Sequence, residues 1–460
     1  MIDTPLTSQP FLDRSQPPQP KSPIRASFPV WHEAVLPNGL KIMVYEQHDT
    51  PVVSIRLYSR AGSLYDGEHQ KASMFTFALL MQGTRSRSAE QIANEADLLG
   101  AELGTFAGLD SASVSLSVMT KYLDQGLALM SDVVLNPTFE EKELEFVRQQ
   151  SLNRLRFSKS DATRLASDAF TKAIYQPLPY SQPMLGTQEA LQALTREAIV
   201  GFYEAYVVPN NSFMVVAGDV KTQEIVEKLA KAFGEWSAKA LVTSDFPIPT
   251  RPDAPRVILV QKEGAVQSVL MLGHLSIARA HPDYLKCYVM NMMLGGYFGS
   301  RLNLRLREQR GYTYNIRSAF DAKRELGDFY IFTQVRKEVT KQALQDILSE
   351  LQAIIEYGVS EEELQAAKNY IAGNFIIQNE SPETILSRLA TIELYGLSKD
   401  YFNVYVEQLQ RLTLDDVSNA AKMYIHPSCL TYVVAGDADA VRADLEGFGD
   451  LVAPDSSNNQ

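Results

Sequence analysis

The sequence contains very little cysteine. Cys287 and Cys429 are the only cysteines in 460 residues, and no Cys-x-x-Cys pair occurs. Two thiols so far apart do not form the disulfide framework of a small secreted protein. This usage fits a reducing compartment, and we predict a cytoplasmic protein. A periplasmic location is the alternative if a signal peptide was removed.

Long apolar runs are missing as well. No segment approaches the roughly 18 consecutive apolar residues of a membrane-spanning helix. Residues 1–27 are rich in Pro, Ser and Gln and lack the basic start and apolar core of a signal peptide. We therefore predict a disordered tail over residues 1–27 and no membrane partner.

An excess of positive charge is also absent. The chain has 43 Lys and Arg residues against 55 Asp and Glu residues, which gives a net charge of -12. Phosphate binding requires a basic face, so nucleic acid is excluded as a main partner. The hydrophobic fraction of 45% is ordinary for a globular protein, and the length predicts at least two domains.

An internal duplication dominates what is present. Thr195 and Thr413 each follow a Leu, and Gly218 and Gly436 each follow Val-Val-Ala; both pairs stand 218 residues apart. In each copy the Leu-Thr pair predicts the capped start of a helix, and the Val-Val-Ala-Gly-Asp run predicts the end of a buried strand. Strand–helix–strand units can resemble one another by chance, but a shift that stays near 218 over most of the chain favours duplication.

The duplication predicts two homologous domains rather than a solenoid. Residues 237–255 contain four prolines between positions 247 and 255, which predicts a stiff, extended linker. We place an N-terminal domain at residues 28–236 and a C-terminal domain at residues 256–453. Strand-like and helix-like segments mix within each, so we predict an α+β fold in which each domain is a mixed, mostly antiparallel sheet covered by helices.

Histidine pairs that could share a metal on one helix face are lacking. Six histidines are present, and no two stand at the i, i+4 spacing. Residues 65–69 end in Glu-His and superficially suggest a metal motif, but they contain Gly67 and offer one His where two are needed. We interpret them as an exposed loop.

Several short motifs together resemble the inverted-zincin peptidases, the group of mitochondrial processing peptidase, pitrilysin and insulin-degrading enzyme. The resemblance covers nearly the whole chain after residue 27. The motifs that carry it are Leu-Pro-Asn-Gly-Leu at 36–40, Ala-Gly-Ser at 61–63, Met-Gln-Gly-Thr at 81–84, Leu-Gly-Gly at 294–296 and the run from 306 to 314.

The resemblance also shows what this chain has lost. Active members carry His-x-x-Glu-His before the Gly-Thr pair, with two zinc-binding His and a general-base Glu. Aligning on Gly83 and Thr84 places those three positions at Met74, Phe77 and Ala78. The region that matches the third ligand, residues 146–156, contains no Glu or Asp. We therefore expect no metal and no cofactor in this chain.

The second half keeps a different part of the family's machinery. Family members offer an Arg and a Tyr that hydrogen-bond the substrate carbonyl as it becomes tetrahedral, and the alignment places them at Arg307 and Tyr314. We expect Arg307 to close a helix, Gly311 to break it and Tyr314 to start a strand. A surface ion pair for Arg307 and core packing for Tyr314 is the alternative.

A chain that lacks the zinc half of the active site and keeps the Arg/Tyr half resembles one subunit of the split members of the family. The resemblance implies the non-zinc subunit of a heterodimeric metallopeptidase, whose His-x-x-Glu-His partner holds the zinc while this chain supplies Arg307 and Tyr314 in trans toward a peptide substrate. No activity is then expected from the chain alone. The alternatives are an inert scaffold, like the core subunits of a respiratory complex, or a peptide-binding homodimer.

Overall fold

The chain folds around two six-stranded sheets, each flanked by helices. The computed structural model describes residues 27–242 and 244–452, so the predicted tail over 1–27 lies outside the described residues except for Ser27. No helix in this part of the chain is both long and apolar enough to cross a membrane.

The first sheet has the strand order β1-β2-β6-β3-β5-β4. Only the β2–β6 pair is parallel; the other neighbours are antiparallel. The strands are β1 His32–Val35, β2 Lys41–Glu46, β3 Val52–Ser59, β4 Glu102–Ala107, β5 Ala112–Met119 and β6 Ser212–Gly218. The helices of this half are α1 Ala72–Leu80, α2 Ala89–Leu99, α3 Leu123–Leu135, α4 Glu141–Ser158, α5 Ala162–Tyr175, α6 Gln188–Ala193, α7 Arg196–Tyr206 and α8 Thr222–Phe233.

The second sheet has the order β12-β7-β11-β8-β10-β9. Its strands are β7 Arg256–Gln261, β8 Gln267–Ser276, β9 Ile316–Asp321, β10 Gly327–Arg336, β11 Thr431–Gly436 and β12 Asp450–Val452. Its helices are α9 Tyr284–Asn291, α10 Thr340–Tyr357, α11 Glu361–Gln378, α12 Pro382–Tyr395, α13 Tyr405–Arg411, α14 Leu414–Tyr424 and α15 Ala438–Val441. Two π-helical segments, Met292–Gly296 and Asn303–Gln309, lie between α9 and β9.

The predicted α+β fold with two similar halves is confirmed. In both halves a helix capped by a threonine side chain leads into a central, fully buried strand: Thr195 caps α7 before β6, and Thr413 caps α14 before β11. Each of these strands pairs in parallel with the first long strand of its sheet and antiparallel with the second. Between α8 and β7 the described residues form no helix or strand.

The two halves exchange a helix. On β6, Met214 and Val216 pack with the helices of the first half, whereas Phe213 and Val215 point the other way and join the core that contains α12 of the second half. The same alternation on β11 packs one face of the strand against α5 of the first half. Residues with period two line opposite faces of a strand, so each sheet is covered on one face by its own helices and on the other by its neighbour's.

Phe170 shows how closely the exchanged helix sits. This α5 side chain is 1% exposed and belongs to the core formed with β8 and β11. Its ring lies over Gly273 on β8, where an added Cβ would stand 3.0 Å from the ring carbon Cζ. The absence of a side chain at 273 therefore lets the helix from the other half approach the sheet.

A tyrosine–aspartate pair locks the end of each exchanged helix. The Tyr175 hydroxyl, at the end of α5, donates to buried Asp328 of the second half. The Tyr395 hydroxyl, at the end of α12, donates to Asp110 of the first half at 3.4 Å. Asp110 and Asp328 are 218 residues apart, so the duplication has preserved the acid that receives the other half's helix. Lys323 lies 2.6 Å from Asp328 and balances its charge.

We predict that Phe170→Ala destabilises the whole molecule. Removing a fully buried phenylalanine ring typically costs about 3–5 kcal/mol. Because α5 covers the other half's sheet, both halves should lose stability together in urea unfolding followed by far-ultraviolet circular dichroism. The matched control is Phe157→Ala on neighbouring α4, whose ring is 82% exposed and should change stability by less than about 0.5 kcal/mol. Two separate transitions in the Phe170 variant would contradict an obligatory exchange.

We also predict unequal effects from the two tyrosine hydroxyls. Tyr175→Phe leaves buried Asp328 without one of its donors and should cost about 1–3 kcal/mol in urea unfolding. Tyr395→Phe should cost less, since Asp110 keeps the Tyr180 hydroxyl and the Arg324 backbone N–H at 3.0 Å. Equal losses in the two variants would mean that the pairs do not act as the geometry indicates.

Candidate functional site

Helix α1 presents the positions where the resemblance implies zinc ligands. Phe77 is buried in the core of the first half, and Met74 and Ala78 are half-buried one turn apart. A phenyl ring and a methyl group have no donor atom, and one thioether is too weak and soft a ligand to hold zinc. The donor set at these positions therefore does not fit a zinc ion.

Helix α4 packs against α1, where a third ligand would have to come from. Residues 146–156 lie within α4, and their buried members are Val147, Arg148, Leu152 and Leu155. Within the described ranges, no group of three or more His, Cys, Asp or Glu side chains is placed to hold a metal ion. The expectation that this chain binds no metal remains a prediction for experiment.

The loop at residues 65–69 is only partly what the sequence predicted. Gly67, Glu68 and His69 are exposed, but Asp66 is 9% exposed and accepts backbone N–H bonds from Lys71 at 2.7 Å and Ser73 at 2.8 Å. Asp66 thus anchors the start of α1, and burial raises its pKa to about 6. The prediction of an exposed loop was wrong for this residue, because a carboxylate can satisfy the free N–H groups at a helix start.

Arg307 lies in the π-helical segment Asn303–Gln309 of the second half. Its guanidinium lies 4.5 Å from the ring centre of Phe298, an exposed aromatic side chain, and its Nε is 3.4 Å from neighbouring Glu308. Two further arginines of the same segment and its end, Arg305 and Arg310, both hold Asp346 on α10 at 3.0 Å. Asp346 fixes the segment to the fold. Arg307 is half-buried, and its contact with Glu308 is the surface ion pair that the sequence analysis gave as the alternative.

Tyr314 projects from the loop that follows. Its side chain is 93% exposed and makes no hydrogen bond within the described chain. The loop backbone is nevertheless held, because the Thr333 hydroxyl of β10 donates to the Asn315 carbonyl at 3.0 Å. Core packing of Tyr314, the alternative in the sequence analysis, is therefore wrong.

Gly311 lies where the sequence predicted it, at the end of the helical segment, whereas Tyr314 does not start a strand. Gly311 ends the helical segment with a φ of +62°, as expected for a residue that leaves a helix in the left-handed region. The expectation that Tyr314 starts a strand was wrong, since β9 begins at Ile316. Tyr314 is exposed and Arg307 is half-buried, and no hydrogen bond joins their side chains within the part of the chain that the structure describes.

Sequence reasoning missed Asp346 and Phe298. Asp346 lies on α10, far from the motif along the chain, so only the fold brings it to Arg305 and Arg310. Phe298 sits in a Gly-rich run and gave no signal of stacking against Arg307.

Comparison with known proteins gives a consistent result. The sequence profile described as insulinase, peptidase family M16, matches residues 41–188, and the peptidase M16 inactive domain matches residues 193–371. An uncharacterised zinc protease of Mycobacterium leprae is 26% identical over 85% of this chain and 88% of its own length. The non-peptidase homolog YmxG of Helicobacter pylori is 24% identical over 88% and 94%.

Solved structures agree with these sequence matches. A peptidase M16 inactive domain from Pseudomonas fluorescens has a TM-score of 0.83 and 27% identity, covering 88% of this chain and 98% of that one. A protease from Helicobacter pylori has a TM-score of 0.82 at 21% identity and supports the fold. The profiles together match more than half of the sequence in the order of its two halves, and the chain therefore belongs to the M16 family of peptidases.

Proposed function

We propose that this protein is the non-metal subunit of a heterodimeric M16 peptidase. In this proposal a partner with an intact His-x-x-Glu-His motif binds zinc, and this chain presents Arg307 and Tyr314 to the same peptide. The chain alone is then inactive, and peptide hydrolysis belongs to the complex. The cytoplasm is the proposed compartment.

The exposure of Tyr314 is the observation that carries the proposal. A phenol side chain that is 93% exposed contributes no packing to its own fold, yet its loop backbone is anchored to β10. Exposed aromatic side chains on a held backbone are typical of binding surfaces. The exposed rings of Phe298 and Tyr314 flank Arg307 in the sequence, so this surface offers apolar area as well as hydrogen-bond donors.

The chemistry of the two groups suits a substrate carbonyl. The Arg307 guanidinium and the Tyr314 hydroxyl are both donors, and a carbonyl oxygen becomes a stronger acceptor as it gains negative charge. Donors aimed at that oxygen stabilise the tetrahedral state more than the ground state. Removing one such donor costs about 2.7–4 kcal/mol of transition-state stabilisation in other enzymes.

The residues of helix α1 support the proposal that zinc is bound by the partner and not by this chain. Met74, Phe77 and Ala78 can neither bind zinc nor move a proton, so the water-activating step has no residues for it at that position. The same observation favours a second candidate, a peptide-binding or scaffold protein without catalysis. One relative carries the description non-peptidase homolog.

A mixing experiment distinguishes the two candidates. We expect no cleavage of a quenched fluorescent peptide by this chain alone or by its His-x-x-Glu-His relative from the same organism alone. The zinc-loaded mixture should cleave it, with a 1:1 complex visible by size-exclusion chromatography. Absence of both complex and activity in the mixture would favour the scaffold or a homodimer instead.

Single substitutions then test the two named residues. In the active mixture, Tyr314→Phe and Arg307→Gln should each lower kcat/KM about 10²–10³-fold, because a transition-state donor is lost. Complex formation should be nearly unchanged. The matched controls are Tyr357→Phe on α10 and Arg411→Gln on α13, which alter exposed side chains elsewhere in the second half. Turnover equal to that of the controls would remove Arg307 and Tyr314 from the site.

A further inference from the structure

A concave site lies in the C-terminal half, and neither Arg307 nor Tyr314 lines it. Residues of helices α9, α11, α12 and α13 line an open cavity of about 350 Å³, which is in the size range of small-ligand sites. Its lining is unusually aromatic and contains two arginines. The side chains that matter here are Arg279, Tyr288, Tyr370, Asn374, Arg388 and Tyr405.

Arg388 enters this cavity with no acidic partner. Its guanidinium lies 4.0 Å from the ring centre of Phe375. It donates to the neutral oxygens of the Phe375 carbonyl and Gln378 Oε1, each at 3.3 Å, and to Asn379 Oδ1. Within the described chain it contacts no carboxylate. Burial lowers its pKa to about 10, so the positive charge is held in a poorly solvated place.

Arg279 also lines this cavity. Its guanidinium lies 4.0 Å from the ring centre of Tyr284 and 5.1 Å from that of Tyr401. It also donates a hydrogen bond to the Tyr401 hydroxyl at 3.3 Å. The acid of the neighbouring strand, Asp321, is paired with Lys323 at 2.8 Å. Arg279 therefore also lacks a carboxylate partner in the described residues.

The duplication allows the position of this cavity to be compared with the corresponding position in the first half. Helix α9 packs against α14 and α11, as α1 packs against α7 and α4 in the first half. The cavity thus lies beside the α9–α11 contact, which corresponds in the second half to the α1–α4 contact in the first. Helix α1 carries the half-buried Met74 and Ala78 in the first half, whereas the second-half cavity presents two guanidinium groups and several aromatic rings.

We infer that this cavity binds a carboxylate attached to a flat apolar group. A carboxylate offers both guanidinium groups the anionic partner they lack, and half-buried unpaired charges make such pairing favourable. The rings of Tyr288 and Tyr370 supply faces for an aromatic body, and the Asn374 amide can donate to the same carboxylate. Two sources carry this chemistry: a peptide that ends in an aromatic residue, and a free aromatic acid. The inference stands independently of the proposed heterodimer, because binding requires this chain alone.

Titration calorimetry on the purified full chain tests the inference. The probes are N-acetyl-L-phenylalanine, its carboxamide, and a hexapeptide ending in Phe with either a free or an amidated C-terminus. We expect each free acid to bind at least about tenfold more tightly than its amide, because the amide lacks the charge that pairs with arginine. A hexapeptide acid tighter than the acetylated amino acid identifies peptide ends as the source. The reverse order identifies free aromatic acids.

Substitutions of the cavity residues test whether the ligand binds in this cavity. Arg388→Gln and Arg279→Gln should each weaken binding of the free acid about tenfold, and Tyr370→Ser should weaken both acid and amide. Tyr370 lies at the exposed rim, so its substitution tests the site even if an arginine variant folds poorly. Arg411→Gln, at an exposed arginine outside the cavity, is the matched control and should bind as the wild type does. Equal affinity for acid and amide, or wild-type affinity in all three cavity variants, would overturn the inference.

Discussion

Neither sheet of this protein can bury both of its faces with helices from its own half. The central strands β6 and β11 are apolar on both sides, and the second side is covered only when α12 and α5 cross over. Buried apolar area is the main favourable term in folding, so this mutual cover ties the stability of one half to the other. The Tyr175–Asp328 and Tyr395–Asp110 bonds add directional contacts at the ends of the same two helices.

The exchange also decides what remains available for function. With both sheets covered, the surface outside the cores is formed by helix faces and loops, and the chemically distinct features lie there. On one side Asp346 holds Arg305 and Arg310, so the segment between them is fixed while Arg307 and the following Tyr314 stay at the surface. On another side Arg279 and Arg388 face an aromatic cavity. The residues that stabilise the two cores are thus different from the residues that are proposed to bind ligands.

The local patterns in the sequence predicted the elements and the duplication well. The capped helices that follow Thr195 and Thr413 and the buried strands that end at Gly218 and Gly436 fall where the sequence placed them, because capping residues and continuous apolar runs are local signals. The crossing of α5 and α12 was not predictable in this way. An apolar face on a helix specifies burial but does not specify which sheet provides it. Likewise the spacing of Arg307 and Tyr314 was visible in the sequence, whereas the role of Asp346 and the Arg279–Arg388 cavity depend on residues that only the fold brings together.

The reciprocal cover by α5 and α12 bears on how such a chain could have arisen. A half-length protein with one of these sheets and one crossing helix could bury its second sheet face only by giving its helix to an identical copy and receiving one in return. Its smallest stable unit would be a symmetric, helix-exchanged dimer. Joining the two copies through the segment now at residues 237–255 turns that dimer into a single chain, after which the two halves are free to diverge. Met74 and Ala78 in the first half, and Arg279 and Arg388 in the second, are features that such divergence has left in one half only.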